Sequence, residues 1–388
     1  MSELDKLQVY GDSPVGWCAA TKPNERVDEY GAPLEGERAQ RGLDPRAPAR
    51  RVYDHPEVQA LRAHLKAHNG IQQLEILKPH EIDRAADIFF RDGFVVVADL
   101  LDPDALAQFR EGSARVLKQI LEVPGVGGRK YLTETGRLPH RYSYGTASAS
   151  RQLLHDPVWA GMVDLATTTP ILTRIFGGGD YAVMGAGGDL CLPGAIEYQE
   201  LHADVREPNA FPQSRLDQAR RLGIELRAPM EEDHRGRQLI LERTPPMVTI
   251  NFLTCDLTWE NGPIRQIAGT QGRPGRPPSP ADEPEWMRLS TLVGAPAGAG
   301  IFRDNRAWHG ATPNLSREIR AMPNVEYGAP WLDETWYKPT MPHEIWEALS
   351  PHAQRICRQI KSEPGVWPAG AGLMHPLAAR RADLATAT

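Results

Sequence analysis

The chain has 388 residues, 41% of them hydrophobic and 24% charged, the composition of a water-soluble globular protein whose core needs no covalent staples. Its net charge of −6, with both signs interspersed, gives no basic footprint and speaks against a nucleic-acid partner. Cys18, Cys191, Cys255 and Cys357 lie far apart with no CxxC pair, which excludes a zinc ribbon or a disulfide framework and predicts reduced thiols.

The opening "MSELDKLQVYGDSPVGW" lacks an apolar leader, and no stretch approaches 18 apolar residues. The expectation is a cytoplasmic protein without membrane association. Residues 1–52 are rich in Pro, Gly, Arg and Glu without periodicity and read as an extended arm. Residues 53–388 read as one domain, with a helical part at 53–176, a β-rich core at 177–330 and a C-terminal helix and tail at 331–388.

In chain order, "DHPEVQALRAHLKAHNG" predicts a helix opened by Pro56 and closed near Gly70. "KPHEIDRAADIFFRDG" predicts a second, and "FVVVADLL" after Gly93 a short buried strand. Asp102 then caps the helix "DALAQFREGSARVLKQILEV". Residues 151–176 also read as helical. After the turn Gly177-Gly178-Gly179, short runs punctuated by Gly and Pro predict strands: "YAVMG", "DLCLP", "EYQELHADV", "PMVTINFLTC", "PIRQIAGT", "RLSTLVG", "AGIFRDN" and "EIRAMPNVEYG". No helices alternate with them, so a parallel α/β sheet is excluded. The fold class is mainly β with flanking helices (α+β), around a jelly-roll core. Residues 207–243 interrupt the strands as a charged, partly helical insert, either a lid or a solvated loop. "HEIWEALSPHAQRICRQI" predicts one last helix.

Two residues apart on a strand, His202 and Asp204 of "YQELHADV" project to the same face. They supply two-thirds of a 2-His-1-carboxylate iron site. The triplet His55-Pro56-Glu57 is a decoy, because it flanks a proline at a helix start. The second histidine is His309, just beyond "AGIFRDN". Eleven residues later Arg320 opens another strand, where a guanidinium can clamp a carboxylate bidentately. Arg317 is the competitor for that role and reads as solvent-facing. Asp304 and Arg306 either orient the site or form a surface ion pair.

With these segments in order, residues 80–330 resemble the phytanoyl-CoA dioxygenase (PhyH) family of Fe(II)/2-oxoglutarate oxygenases. "RDGFVVVADLLDPDAL" is similar to the family's opening strand and helix. "YQELHADV" matches its first two iron ligands, "LTCDLTWENGPIRQIAGTQGR" its central glycine-rich stretch, and "WHGATPNLSREIR" its histidine-to-arginine segment. The resemblance implies a double-stranded β-helix core, cupin-like in class. It implies His202, Asp204 and His309 as metal ligands and catalytic residues, and Arg320 as the 2-oxoglutarate anchor, with O2 as co-reactant.

Met184 falls where a family member contacts the cosubstrate. Ala311 stands where some members place a serine, for which the neighbouring Thr312 is the substitute, and Gly269-Thr270-Gln271 replaces the usual Gly-Ser-His. Asn251 serves either the cosubstrate or the strand, and Tyr142 and Tyr144 are candidates for a substrate pocket. Members that halogenate have a small residue in place of the carboxylate, so Asp204 implies hydroxylase-type chemistry on a small molecule or secondary metabolite, with release of succinate and CO2. Desaturation, epimerisation or cyclisation are alternative outcomes, and a non-catalytic jelly-roll protein binding a metal or small molecule is the alternative class.

Overall fold

The computed structural model describes residue 17 and residues 53–122, 141–144, 153–208, 211–227, 230, 232–273 and 275–368. The proposed arm at 1–52, Trp17 apart, the histidine His140 and the end of the tail lie outside them.

Three helices follow the sequence closely, α1 (Pro56–His68), α2 (Ile82–Asp92) and α3 (Pro103–Glu122), whereas α5 (Thr169–Phe176) is only the last part of the helix expected over 151–176. The His55 Nδ1 at the start of α1 accepts from the Glu57 amide, so the decoy triplet is spent on a helix cap. The Asp102 carboxylate likewise accepts from the Ala105 amide at the start of α3. Gly93 ends α2 at φ 82°, and a Cβ there would lie 2.7 Å from Gln271 Oε1. Only glycine meets both conditions, and the chain can therefore turn directly from α2 into β2 (Phe94–Val97).

Seven strands form one sheet in the order β1 (Ile76–Leu77), β2, β7 (Gly300–Asp304), β5 (Met247–Phe252), β9 (Arg320–Gly328), β4 (Ala182–Cys191) and β3 (Arg141–Ser143). Only β1–β2 is parallel. A second sheet pairs β6 (Arg265–Gln266) with β8 (His309–Gly310). The architecture is thus α+β with a large, mostly antiparallel sheet.

Strand alternation sorts the large sheet into two chemistries. Val248, Ile250 and Phe252 of β5, Phe302 of β7, and Ala321, Val325 and Tyr327 of β9 join the main apolar core with Phe89, Phe109, Trp159 and Phe176 from the helices. Each such large side chain contributes roughly 1.5–3 kcal/mol by leaving water. The intervening residues Asn251, Arg303, Arg320, Asn324 and Glu326 face the other way and line a cavity of about 170 Å3. His309 and Gly310 of the small sheet also border it, so the cavity lies where the two sheets meet.

Five expectations need correction. "YAVMG" and "DLCLP" belong to a single strand, β4. The segment 197–205 is not a strand: it follows 305–311 through separate hydrogen bonds, with one isolated bridge at His202. Residues 288–294 contain no strand, because Pro284 opens the helix α8 (Glu285–Leu289), leaving only a bridge at Thr291. The C-terminal helix is two, α9 (His343–Glu347) and α10 (Pro351–Ile356), because Ser350 caps a new start and Pro351 cannot continue the old helix. Residues 151–176 are helical only in pieces: α4 (Pro157–Ala160), a 3-10 turn at Gly161–Asp164 and α5.

The insert carries α6 (Gln213–Arg221) and α7 (His234–Arg243) around a small apolar cluster of its own. It is docked rather than loose. Arg215 is wholly buried between the Phe211 and Trp331 rings and donates to Glu207 and Thr244, while Gln218 donates to the Phe176 carbonyl. No described residue of 211–243 borders the cavity.

Candidate metal centre

Among the described residues, one group of His, Cys, Asp or Glu side chains could hold a metal ion: His202, Asp204 and His309, whose ligand atoms all lie within 4.8 Å of one another. Two backbone exchanges set the pair of histidines opposite each other. The His202 amide donates to the His309 carbonyl at 3.0 Å, and the reverse bond has the same length. The Asp204 amide is then held by the Asn305 carbonyl at 2.9 Å. The short bridge thus does the work that the expected strand was to do.

Both imidazoles are oriented by main-chain acceptors. His202 Nδ1 donates to the Glu200 carbonyl and His309 Nδ1 to the Ala307 carbonyl, each at 3.0 Å. That tautomer leaves each Nε2 lone pair for a ligand. The Nε2 atoms lie 3.5 Å (His202) and 3.6 Å (His309) from the two Asp204 carboxylate oxygens. Burial, with Arg303 beside it, lowers the pKa of His309 to about 3, so the ring stays neutral through the whole physiological range. Burial acts to raise the pKa of Asp204. The guanidinium of Arg303 beside it outweighs this and holds the carboxyl well below the usual carboxylate range. Two neutral imidazoles and one carboxylate are a donor set suited to a divalent transition metal.

Arg303 was not foreseen as part of the site. Its Nη1 donates to Asp204 Oδ2 at 2.8 Å and lies 2.5 Å from His309 Nε2. The run "GIFRDN" reads simply as a buried strand, and only the phase of β7 against β5 turns Arg303 into the cavity. Ser143, Asp189, Gln199, Asn324 and Glu326 are among the other polar residues that line the cavity. Asn324 Oδ1 accepts from the Gly187 amide, and Gly188 beside it stands at φ 131° with Met322 O only 2.3 Å from any added Cβ. This wall of the cavity is therefore backbone, and it admits no side chain.

Arg320 is 1% exposed and lines the same cavity. Its Nε donates to the Gly262 carbonyl, and its Nη1 lies 3.5 Å from the Asp189 carbonyl. Among the described residues it makes no salt bridge to a carboxylate, whereas Arg317 is exposed and stacks on Tyr53. Asn251 lines the cavity, with its buried Oδ1 finding no hydrogen-bond partner among the described residues.

Thr312 does not border the cavity, and its hydroxyl donates to the Pro263 carbonyl. Met184 on β4 sits against Gly328 and is likewise outside it. Tyr142 and Tyr144 both point into the apolar core, Tyr144 with its hydroxyl bonded to Ser113; the alternation of β3 presents Ser143 to the cavity instead. Thr270 and Gln271 are structural, bonded to the main chain at Ile267 and Phe90. Asp304 and Arg306 form a buried ion pair, so the surface alternative is wrong for them.

Glu326, half-buried and on the cavity wall, has its pKa raised from the usual 4.5 to about 7 by burial and then by the charge of Asp204, with Arg303 opposing. A carboxyl so raised supports folding below its unfolded pKa, and that support is lost as pH rises through the folded value. Metal-free Glu326→Gln should therefore gain on the wild type between pH 5 and pH 8. Urea midpoints at the two pH values check this; equal differences at both would contradict it.

No family model matches the chain, and no curated protein matches it. Solved structures do. AviO1 from Streptomyces viridochromogenes Tue57 matches at 17% identity and TM-score 0.43, over 68% of this chain and 99% of its own. The epimerase SnoN, solved with Fe3+, alpha ketoglutarate and nogalamycin RO, matches at 16% identity and TM-score 0.39, over 65% of this chain and 84% of its own. The non-heme alpha ketoglutarate-dependent carbocyclase SnoK, from nogalamycin biosynthesis, matches at 18% identity and TM-score 0.41, over 63% and 83%. Identities and scores this low carry neither activity nor substrate across. Among the described residues, no helix is long and apolar enough to cross a membrane.

Proposed function

We propose that this chain is an Fe(II)/2-oxoglutarate-dependent oxygenase of the phytanoyl-CoA dioxygenase type, built on a double-stranded β-helix. In this reading it hydroxylates an unactivated C–H bond of a small-molecule substrate. One observation carries the reading: a single polar cavity holds both a His-Asp-His donor set and a buried arginine that has no carboxylate partner among the described residues. A buried cation without an anion is costly unless a ligand supplies the missing charge. A dicarboxylate that chelates the metal with one end can deliver its other end to Arg320.

In this reading His202, Asp204 and His309 hold the iron. With 2-oxoglutarate and O2, the bound iron supplies the oxidising power for C–H cleavage, releasing succinate and CO2. The protein's own part is positional. The carbonyls of Glu200 and Ala307 fix the two imidazoles, and Arg320 fixes the far carboxylate of the cosubstrate. Asn251 and Asn324 offer amide groups to whatever shares the cavity.

Arg320→Met should raise the Kd for 2-oxoglutarate by about 10- to 100-fold, the worth of charge-assisted bonds to a buried partner. Cobalt(II) affinity should stay unchanged, and both are read in one anaerobic titration. An unchanged 2-oxoglutarate Kd would remove the anchor role. A screen of small molecules for stimulated succinate release tests the activity itself. The product mass then separates hydroxylation, a gain of one oxygen, from desaturation, a loss of two hydrogens, and from mass-neutral epimerisation. A chain that binds metal and 2-oxoglutarate but never forms succinate is the binding module instead.

A further inference from the structure

Asp204 and His309 come to the metal centre from two different segments, and the segment that carries Asp204 has no regular structure of its own. The bridge between His202 and His309, with the amides of Asp204 and Val205 on the Asn305 carbonyl, fixes that segment only as far as residue 205. Beyond it a side chain takes over. Glu207 stands three residues after Asp204, Arg306 stands three residues before His309, and the two form an ion pair that ties one segment to the other.

The same carboxylate is held from the insert. Its Oε1 accepts from Arg215 Nη1 of α6 at 2.6 Å, while its Oε2 accepts from Arg306. The Arg215 side chain is fully enclosed, with the Phe211 and Trp331 rings 4.8 and 4.2 Å from its guanidinium carbon, and its Nε donates to Thr244 Oγ1 at 2.9 Å. Arg306, 3% exposed, is fixed in turn by Asp304 and by the Leu241 carbonyl of α7. Both helices of the insert therefore converge on Glu207, α6 through Arg215 and α7 through Arg306. Guanidiniums shut away from water require a fixed anion, and charge-assisted bonds to both of its oxygens leave that anion little freedom to turn or slide. Glu207, Arg215 and Arg306 all lie outside the cavity lining, so the insert meets the centre at one remove.

We propose that the insert is a positioning module for the metal centre, in which the Arg215–Glu207–Arg306 staple sets the separation and aim of Asp204 relative to His309. The proposal rests on the metal-centre reading above. It gives residues 207–243 a role that is neither that of a lid nor that of a solvated loop. With Arg215 removed, Glu207 keeps one arginine instead of two, and the segment that carries Asp204 is held at its far end from the Arg306 side alone. Ligand geometry then loosens while the large sheet stays as it is. Arg215, Glu207 and Arg306 are thereby positioning residues.

Anaerobic titration of the full-length protein with cobalt(II), followed by its d–d absorption, tests this, with circular dichroism melts run in parallel. Arg215→Met should bind cobalt about tenfold more weakly than the wild type, the usual cost of losing support behind a ligand. Its d–d band at saturation should also differ in shape, because that band reports ligand geometry, which a loss of stability alone does not alter. Arg237→Met serves as the control. It removes a second guanidinium stacked on Phe211, 4.8 Å from the ring, and leaves the three-residue staple intact. Its cobalt affinity and band should match the wild type. If Arg215→Met does not fold, Glu207→Gln carries the test with the same expected loss, since its amide cannot accept from a second arginine. Wild-type affinity and an unchanged band in the folded staple variant overturn the proposal, whatever the melt shows. So does an equal loss in Arg237→Met, which would mean general loosening of the insert. A wild type that takes up no cobalt would overturn the metal reading itself, a result distinct from either of these.

Discussion

Replacing Arg306 with alanine is expected to destabilise the chain by about 3–5 kcal/mol, a large part of the roughly 5–15 kcal/mol by which a domain is folded. Arg306 is 3% exposed in its side chain and Asp304 1%. The guanidinium donates to Asp304 through two nitrogens, to Glu207 and to the Leu241 carbonyl at 2.5 Å. Burial lowers the tendency of Arg306 to carry its charge, but Asp304 and Glu207 outweigh this and raise its pKa. Truncation leaves Asp304 buried and uncompensated, and it releases Glu207, which also holds Arg215 of the insert. Asp304→Asn should cost less, because Glu207 still neutralises Arg306. Urea denaturation midpoints give both values, and a loss below about 1 kcal/mol for Arg306→Ala would mean that the network is not what joins the insert to the site loop.

Replacing His309 with alanine should lower metal affinity by at least about 100-fold, more than the loss of a supporting contact costs. It removes a ligand whose Nε2 is already aimed and whose neutrality is secured by burial. The fold should survive, because His309 borders the cavity instead of filling the apolar core. Cobalt titration gives the affinity and a thermal melt gives the control. Affinity within threefold of the wild type would remove His309 from the ligand set.

How much of this was legible beforehand differed from residue to residue. The His309-to-Arg320 spacing was readable because those residues bracket one local connection between β8 and β9. His202 and Asp204 were readable as a pair, but through the wrong element: 197–205 alternates like a strand, yet it folds as an extended loop held by the bridge between His202 and His309. Arg303 and Glu326 were hidden, because nothing in "GIFRD" or "NVEYG" reveals which face of the sheet meets the cavity. That phase is set by pairing with β5, more than 50 residues from either strand in most of its register. Tyr142 and Tyr144 failed by one residue of alternation, with Ser143 taking the place expected of them. The C-terminal helix failed at Pro351, whose position after the capping Ser350 marks a new start.

The most direct test of the iron and 2-oxoglutarate assignment is optical. Fe(II) and 2-oxoglutarate added anaerobically to the metal-free protein should produce a visible metal-to-ligand charge-transfer band. That band should be absent in His309→Ala and weakened at matched concentrations in Arg320→Met, and admitting O2 should yield succinate. A wild-type protein that shows no band and forms no succinate would contradict the account.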